Sequence, residues 1–149
     1  MSEKLHFLTY GDSNKYYISR KHITNMAKKS NFFESINSLS KSSLDQQFLK
    51  KYQHILSQSK GGGYWLWKPR LILNKINEIN KGDIVVYSDS GSSFNFHARE
   101  KFYEYIDILC TSEAGTLMFE NRKEFTEVKY TTKELFSYFK VKLNSSTAK

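Results

Sequence analysis

Ile84-Val85-Val86-Tyr87 is an unbroken run of β-favouring residues set between Gly82-Asp83 and Ser88-Asp89-Ser90-Gly91. A strand with one wet face alternates apolar and polar residues. A short continuous run instead marks a strand covered on both faces, as in a parallel sheet flanked by helices. Leu5-His6-Phe7-Leu8 repeats the pattern near the N-terminus and ends at Thr9-Tyr10-Gly11-Asp12. Helical and strand-like segments alternate along the chain, which predicts an α/β fold with a mostly parallel sheet and helices on both faces. At 149 residues there is room for one such core and not for two.

From Ser13 to Ser30 the pattern is helical, with Ile23, Met26 and Ala27 at core spacing, and a short strand is expected around Ser35-Ile36. Ser43-Leu44-Asp45-Gln46 has the form of a capping box, a serine to cap the helix and a glutamine three residues on. The helix it opens carries the stripe Leu44, Phe48, Tyr52, Ile55 and Leu56. Ser59-Lys60-Gly61-Gly62-Gly63 reads as a flexible lead into Tyr64-Trp65-Leu66-Trp67-Lys68. Trp65 and Trp67 alternate, which on an extended segment sends one into the core and the other to a pocket. Pro69 suits a first helical position, and Leu71, Ile72, Ile76 and Ile79 carry a helix to Asn80-Lys81-Gly82. Beyond the central run, Ala98 to Leu109 predicts a helix, Leu117-Met118-Phe119 a strand and Thr132 to Phe139 a short helix. One domain is expected over 1–143, with Asn144 to Lys149 a flexible tail.

A net charge of +8 points to an anionic partner, although Lys28, Lys29, Lys50 and Lys51 also serve simply to solvate helix faces. Nucleic acid is disfavoured, because the basic residues are dispersed and no zinc, RRM-type or helix-turn-helix signature accompanies them. No apolar run approaches the ~20 residues needed to span a bilayer. The N-terminus lacks the basic-then-apolar pattern of a leader. The single Cys110 has no partner for an internal disulfide, and the expected location is cytoplasmic. Without basic neighbours in sequence, Cys110 reads as a buried apolar residue. His6, His22, His54 and His97 show no metal-ligand spacing, and only His97 follows a loop of interest.

Ligands of open α/β sheets bind beyond the carboxyl ends of the strands. Two loops leave the best strands there, Thr9-Tyr10-Gly11-Asp12 and Ser88-Asp89-Ser90-Gly91, and if the strands are parallel both lie on one edge. The first offers an aromatic ring and backbone groups for a base. The second sets one carboxylate among small hydroxyl residues, which suits either a divalent metal or a simple turn. Gly61-Gly62-Gly63 lacks the Gly-Lys-Ser/Thr ending of a phosphate loop, so flexibility is its expected role. Lys68 and Arg70 stand nearby and could neutralise phosphate.

Gly62-Gly63-Tyr64-Trp65-Leu66-Trp67-Lys68-Pro69, followed by Gly82-Asp83-Ile84-Val85-Val86-Tyr87-Ser88-Asp89-Ser90-Gly91, resembles a family of glycosyltransferase-like proteins from bacterial polysaccharide clusters and large DNA viruses. Weaker matches at Ala27-Lys28, Phe33, Phe48, Phe119, Glu124 and Tyr130 to Phe136 extend the resemblance over about residues 5 to 140. It implies the GT-A fold and a domain that takes a nucleotide-sugar donor (UDP- or GDP-sugar) and passes the sugar to a glycan or polysaccharide acceptor. Asp89 would stand where the family's Asp-x-Asp motif ligates Mn²⁺ or Mg²⁺ on the diphosphate, with Ser90 beside it. Thr9, Tyr10 and Gly11 match the loop that holds base and ribose, and Tyr64, Trp67 and Lys68 belong to the tryptophan motif. Gly91 replaces the second aspartate, and family members continue well past the point where this chain ends. A fragment, a minimal protein and one completed by a partner are therefore all expected forms. A non-catalytic nucleotide-sugar-binding module is the alternative from another class.

Overall fold

The computed structural model describes residues 3–119, 122 and 126–142. Glu124 of the matched segments and the tail Asn144 to Lys149 lie outside them. The chain divides into two compact units, Met1–His97 and Ala98–Lys149, within the span read from sequence as one domain.

The first unit is an α/β layer structure. Strands β1 (Leu5–Tyr10), β2 (Ser35–Leu39) and β3 (Ile84–Tyr87) form a parallel sheet in the order β2-β1-β3. All six residues of β1 are buried, as its central place requires. Its side chains alternate between two cores. Phe7 packs with Ile23 and Ala27 of α1 (Asn14–Ser30), joined by Phe33, Ile36, Val86 and Phe94. Leu8 and Tyr10 face the other way, onto Leu44, Leu56, Trp67 and Leu71. Burying each large apolar side chain is worth roughly 1.5–3 kcal/mol, so the sheet is held by helices on both faces rather than by its few ladder bonds.

The second face is built from α2 (Gln46–Lys51), α3 (Gln53–Leu56) and α4 (Trp67–Glu78). The single helix expected from Ser43 is thus two, separated at Tyr52, whose φ of −110 and ψ of 20 leave the helical range. Its cap is Asp45 rather than Ser43. The Asp45 carboxylate accepts from the Phe48 amide at 2.7 Å. It also takes Arg70 Nε and a terminal nitrogen at 3.0 and 2.8 Å, tying α2 to α4. Ser43 closes the preceding short turn Lys41–Ser43, its hydroxyl accepting from the Ser40 amide. Helix α4 begins two residues before Pro69, which therefore sits third in the helix, still where an amide has no intrahelical partner.

In the second unit, α5 (Arg99–Thr111) and α6 (Lys133–Tyr138) match the expected helices closely. Leu117-Met118-Phe119 is not a strand: the three residues have no regular structure, and Met118 is 81% exposed. Among the described residues the sheet has only the three strands of the first unit, so this apolar triplet meets no ladder to join. Phe119 instead packs its ring edge-to-face on Tyr105, 5.1 Å between centroids. Cys110 is exposed on α5 rather than buried. Among the described residues no helix is long and apolar enough to cross a membrane.

At the amino edge of the sheet, Asp83 fixes the entry to β3. Its carboxylate accepts from the Lys4 amide at 3.0 Å and the Asn80 amide at 3.3 Å, and meets His6 Nε2 at 3.3 Å. The Lys4 amide above all, with the His6 and Asn80 contacts, holds this carboxyl below its usual range against the opposing effect of burial. A depressed folded pKa contributes stability that is fully present above the unfolded value of about 4 and is lost as pH falls from there through the folded value. Thermal midpoints should therefore drop between about pH 5 and pH 3, and Asp83→Asn should flatten that drop while lowering the midpoint at pH 7. Parallel midpoint-against-pH curves for the two proteins would refute this role.

Candidate functional site

The parallel pairing of β1 with β3, Leu8 opposite Tyr87, brings the two carboxyl-end loops side by side. They open one pocket of about 440 Å³, lined from the first loop by Tyr10, Gly11, Asp12 and Ser13 and from the second by Asp89, Ser90 and Gly91. Tyr16, Lys41, Ser59, Gly61, Gly62 and Trp65 complete the polar and aromatic wall, and Leu44, Leu56 and Trp67 of the core on the same face line it as well.

Strand β1 runs two residues further than its apolar core suggests, so Thr9 and Tyr10 are strand residues and the loop begins at Gly11. Alternation then separates the two. Tyr10 faces the pocket side and stacks on Trp67, centroids 3.8 Å apart and planes 20° apart. Thr9 is fully buried, does not line the pocket, and its hydroxyl finds no hydrogen-bond partner among the described residues. Burial raises the Tyr10 hydroxyl pKa well above its usual value, with the Asp12 charge adding to the rise, so the phenol stays neutral. Gly11 accepts close approach from α1: a Cβ there would meet the Tyr16 carbonyl oxygen at 3.0 Å.

The glycine run forms a defined turn. Gly61, Gly62 and Gly63 have φ of 61, 58 and 95, and Tyr64 and Trp65 follow at 52 and 57. Gly61–Tyr64 thus closes a left-handed helical turn, with the Tyr64 amide on Lys60 O at 2.8 Å and the Trp65 amide on Gly61 O at 3.2 Å. L-residues with a Cβ pay about 1–2 kcal/mol each for this geometry, which explains three glycines and leaves strain at Tyr64 and Trp65. The turn, rather than an extended alternation, places the two tryptophans. Trp67 is buried, donates from Nε1 to Gly61 O at 3.1 Å and also lines the pocket. Trp65 is 48% exposed at the pocket wall. Tyr64 is 56% exposed and stands outside the lining.

Asp89 lines the pocket, and Lys68, itself outside the lining, pairs with it. Lys68 Nζ lies 2.9 Å from Asp89 Oδ1, and the Tyr87 hydroxyl donates to the same oxygen at 2.7 Å. Burial pushes the Asp89 carboxyl up, but the hydrogen bonds from Lys68 and Tyr87 and the lysine charge outweigh it, and its pKa is lowered. The tyrosine responds in the opposite sense: burial, then the Asp89 hydrogen bond and charge, raise the Tyr87 pKa. Ser90 is buried beside them. His97 lies outside the lining, and its backbone amide donates to Asn95 Oδ1.

The resemblance implies Mn²⁺ or Mg²⁺ at Asp89. Its Oδ1 already carries an ammonium and a hydroxyl, and Gly91 supplies no second carboxylate. Among the described residues no three His, Cys, Asp or Glu side chains stand together as a metal-holding group. Protein side chains alone thus form no cage for a divalent ion, and one carried on a diphosphate would find a single carboxylate here, already paired with Lys68.

Of the residues singled out in the sequence, Tyr10, Gly11, Trp67, Asp89 and Ser90 meet at the pocket, with Lys68 bound to Asp89; Thr9 and Tyr64 do not join them. Asp12, Tyr16, Lys41 and Ser59 are pocket residues the sequence did not single out for a ligand role, whereas of the two tryptophans, one expected in the core and one at a pocket, Trp67 is buried and Trp65 is at the wall. Asp12 signals itself only through structure, its Oδ1 accepting from the Lys41 amide at 2.9 Å. Set against protein-family models, curated proteins and solved structures, the chain finds no match in any of the three.

The turn yields a ranked expectation. A Cβ at Gly63 would sit 2.6 Å from Leu56 Cα, whereas at Gly62 nothing comes nearer than Trp67 Nε1 at 3.7 Å. Gly62→Ala should cost only the left-handed penalty of about 1–2 kcal/mol, and Gly63→Ala clearly more, in urea unfolding. Equal, negligible losses would mean that the left-handed turn is not formed.

Proposed function

We propose that the pocket between the β1 and β3 loops binds a nucleotide-diphosphate sugar, and that the chain is a glycosyltransferase, or the donor-binding part of one, of GT-A type. One observation carries the reading: the carboxyl ends of two adjacent parallel strands open a single pocket whose wall combines aromatic rings with Asp89, and Asp89 holds the Lys68 cation. That is the edge at which open α/β sheets take their ligands. The resemblance of the segments Gly62 to Pro69 and Gly82 to Gly91 supports the same reading, because both segments converge on this pocket.

In this proposal Tyr10, Trp65 and Trp67 offer ring surface to the base and sugar. Lys68 faces the diphosphate, whose negative charge grows as the sugar–phosphate bond breaks. The net charge of +8 favours the approach of an anionic donor. A glycan or polysaccharide acceptor belongs to the proposal through the resemblance alone.

A second reading, a nucleotide-sugar-binding module without turnover, is favoured by one specific feature. Asp89, the carboxylate of the matched motif, is engaged by Lys68 and Tyr87 rather than open to act as a base. Release of free sugar from the donor would select the enzyme.

Thermal melting with UDP- and GDP-sugars tests the common core of both readings. Ligand binding to the folded state raises the midpoint with concentration, by about 2.7 kcal/mol of stability at a hundredfold excess over Kd. A rise with at least one nucleotide-sugar, and none with the free sugar, is expected. No rise with any nucleotide-sugar, together with steeply salt-dependent oligonucleotide binding, would overturn the proposal in favour of a nucleic-acid domain.

A further inference from the structure

We infer that the Lys68 ammonium occupies the place of the divalent cation, so that the pocket holds the diphosphate of its ligand without a metal; this rests on the nucleotide-sugar reading. Lys68 Nζ stands 2.9 Å from Asp89 Oδ1, and that oxygen also accepts from the Tyr87 hydroxyl at 2.7 Å. The ammonium is further enclosed by two rings, 4.9 Å from the Tyr87 centroid and 5.9 Å from that of Trp67. Its side chain is 30% exposed while that of Asp89 is 62% exposed, so the cation is the more enclosed member of the pair. Position 91, two residues on, is glycine and offers no second carboxylate.

These contacts make the two cations competitors. A divalent ion on the other carboxylate oxygen of Asp89 would stand against the like charge of Lys68, which the carboxylate and two ring faces hold in place. A phosphate oxygen meets no such conflict. An ammonium has three N–H donors, Asp89 takes one, and another can serve the diphosphate while the ion pair stays closed. Asp89 then acts as a positioning residue that aims Lys68. Tyr87 helps through the shared oxygen.

The charge arithmetic gives Asp89→Asn opposite outcomes under the two mechanisms. A metal site loses its ligand and its affinity. A lysine site loses a negative charge beside the phosphate, while the asparagine oxygen can still accept from Lys68 and Tyr87. Calorimetric titration of UDP and GDP into the full chain, in EDTA and again with Mn²⁺, reads this directly, with ligand-free melts as the check on folding. Binding in EDTA is expected, changed by less than roughly twofold on adding Mn²⁺. Lys68→Met should weaken it about tenfold, and Asp89→Asn should tighten it by roughly two- to fivefold. Binding that requires Mn²⁺ and disappears in Asp89→Asn would overturn the inference and leave the nucleotide reading standing. Binding in EDTA that is indifferent to Lys68→Met would overturn it as well. No binding of either nucleotide under either condition would remove the proposed function itself. Should Lys68→Met fail to fold, the direction of the Asp89→Asn change alone decides between lysine and metal.

Discussion

Parallel pairing of β1 with β3, in the register that sets Leu5 against Ile84 and Leu8 against Tyr87, is the constraint on which the rest of the first unit depends. Parallel strands need a crossover, and here the chain between them supplies α1, β2 and the three helices α2, α3 and α4. Because both strands point the same way, their carboxyl ends release Gly11 and Ser88 at one edge, and the ladder ends there with the Ser88 amide on Leu8 O and the Gly11 amide on Leu39 O. The pocket is the space the two departing loops enclose. At the opposite edge the same register is locked by Asp83, which joins β1 to β3 through the Lys4 amide and His6.

The segment from Gly61 to Arg70 walls the pocket at that edge. Its left-handed turn reverses the chain from α3 into α4 within a few residues, at the cost of strain at Tyr64 and Trp65. Burial of Trp67 against Tyr10, Leu8 and Leu71 offsets that strain, and its indole N–H holds the turn through Gly61 O. The next residue, Lys68, is thereby carried to Asp89, and Arg70 to Asp45. One short stretch fixes the core, the turn and the cation together.

How much of this could be seen in the sequence follows from where each signal lives. The two buried strands and α1 are written in local apolar patterns, and the meeting of the two loops follows from parallel pairing alone. The end of β1 is not: nothing local says whether Thr9 and Tyr10 belong to strand or loop, and the two-residue extension turns Thr9 away from the pocket while keeping Tyr10 in it. Ser43 and Asp45 are both fair caps by type. Asp45 prevails through Arg70, 25 residues away in sequence. Three glycines announce freedom, yet only the neighbouring Leu56 backbone and the Trp65 ring show that the freedom is used for a left-handed turn. Leu117-Met118-Phe119 has the composition of a strand, but a strand exists only where a partner offers a ladder. Lys41 and Ser59 reach the pocket from separate turns and carry no local mark of it.

Core and site overlap in this protein, and the overlap decides which residues can report on function. Tyr10 and Trp67 belong to the largest buried cluster and to the pocket wall at once. Removing a buried aromatic side chain costs about 3–5 kcal/mol, a large part of the 5–15 kcal/mol that holds a domain, so loss of binding in such a variant would be indistinguishable from loss of the fold. Lys68 and Asp89 are different. Both side chains are partly exposed, their pair closes at the rim of the core, and a pair of that kind contributes little to folding. Two rings and the Asp89 carboxylate hold the Lys68 ammonium, and Tyr87 steadies that carboxylate, so substitutions at this pair can report on binding where those at Tyr10 and Trp67 cannot.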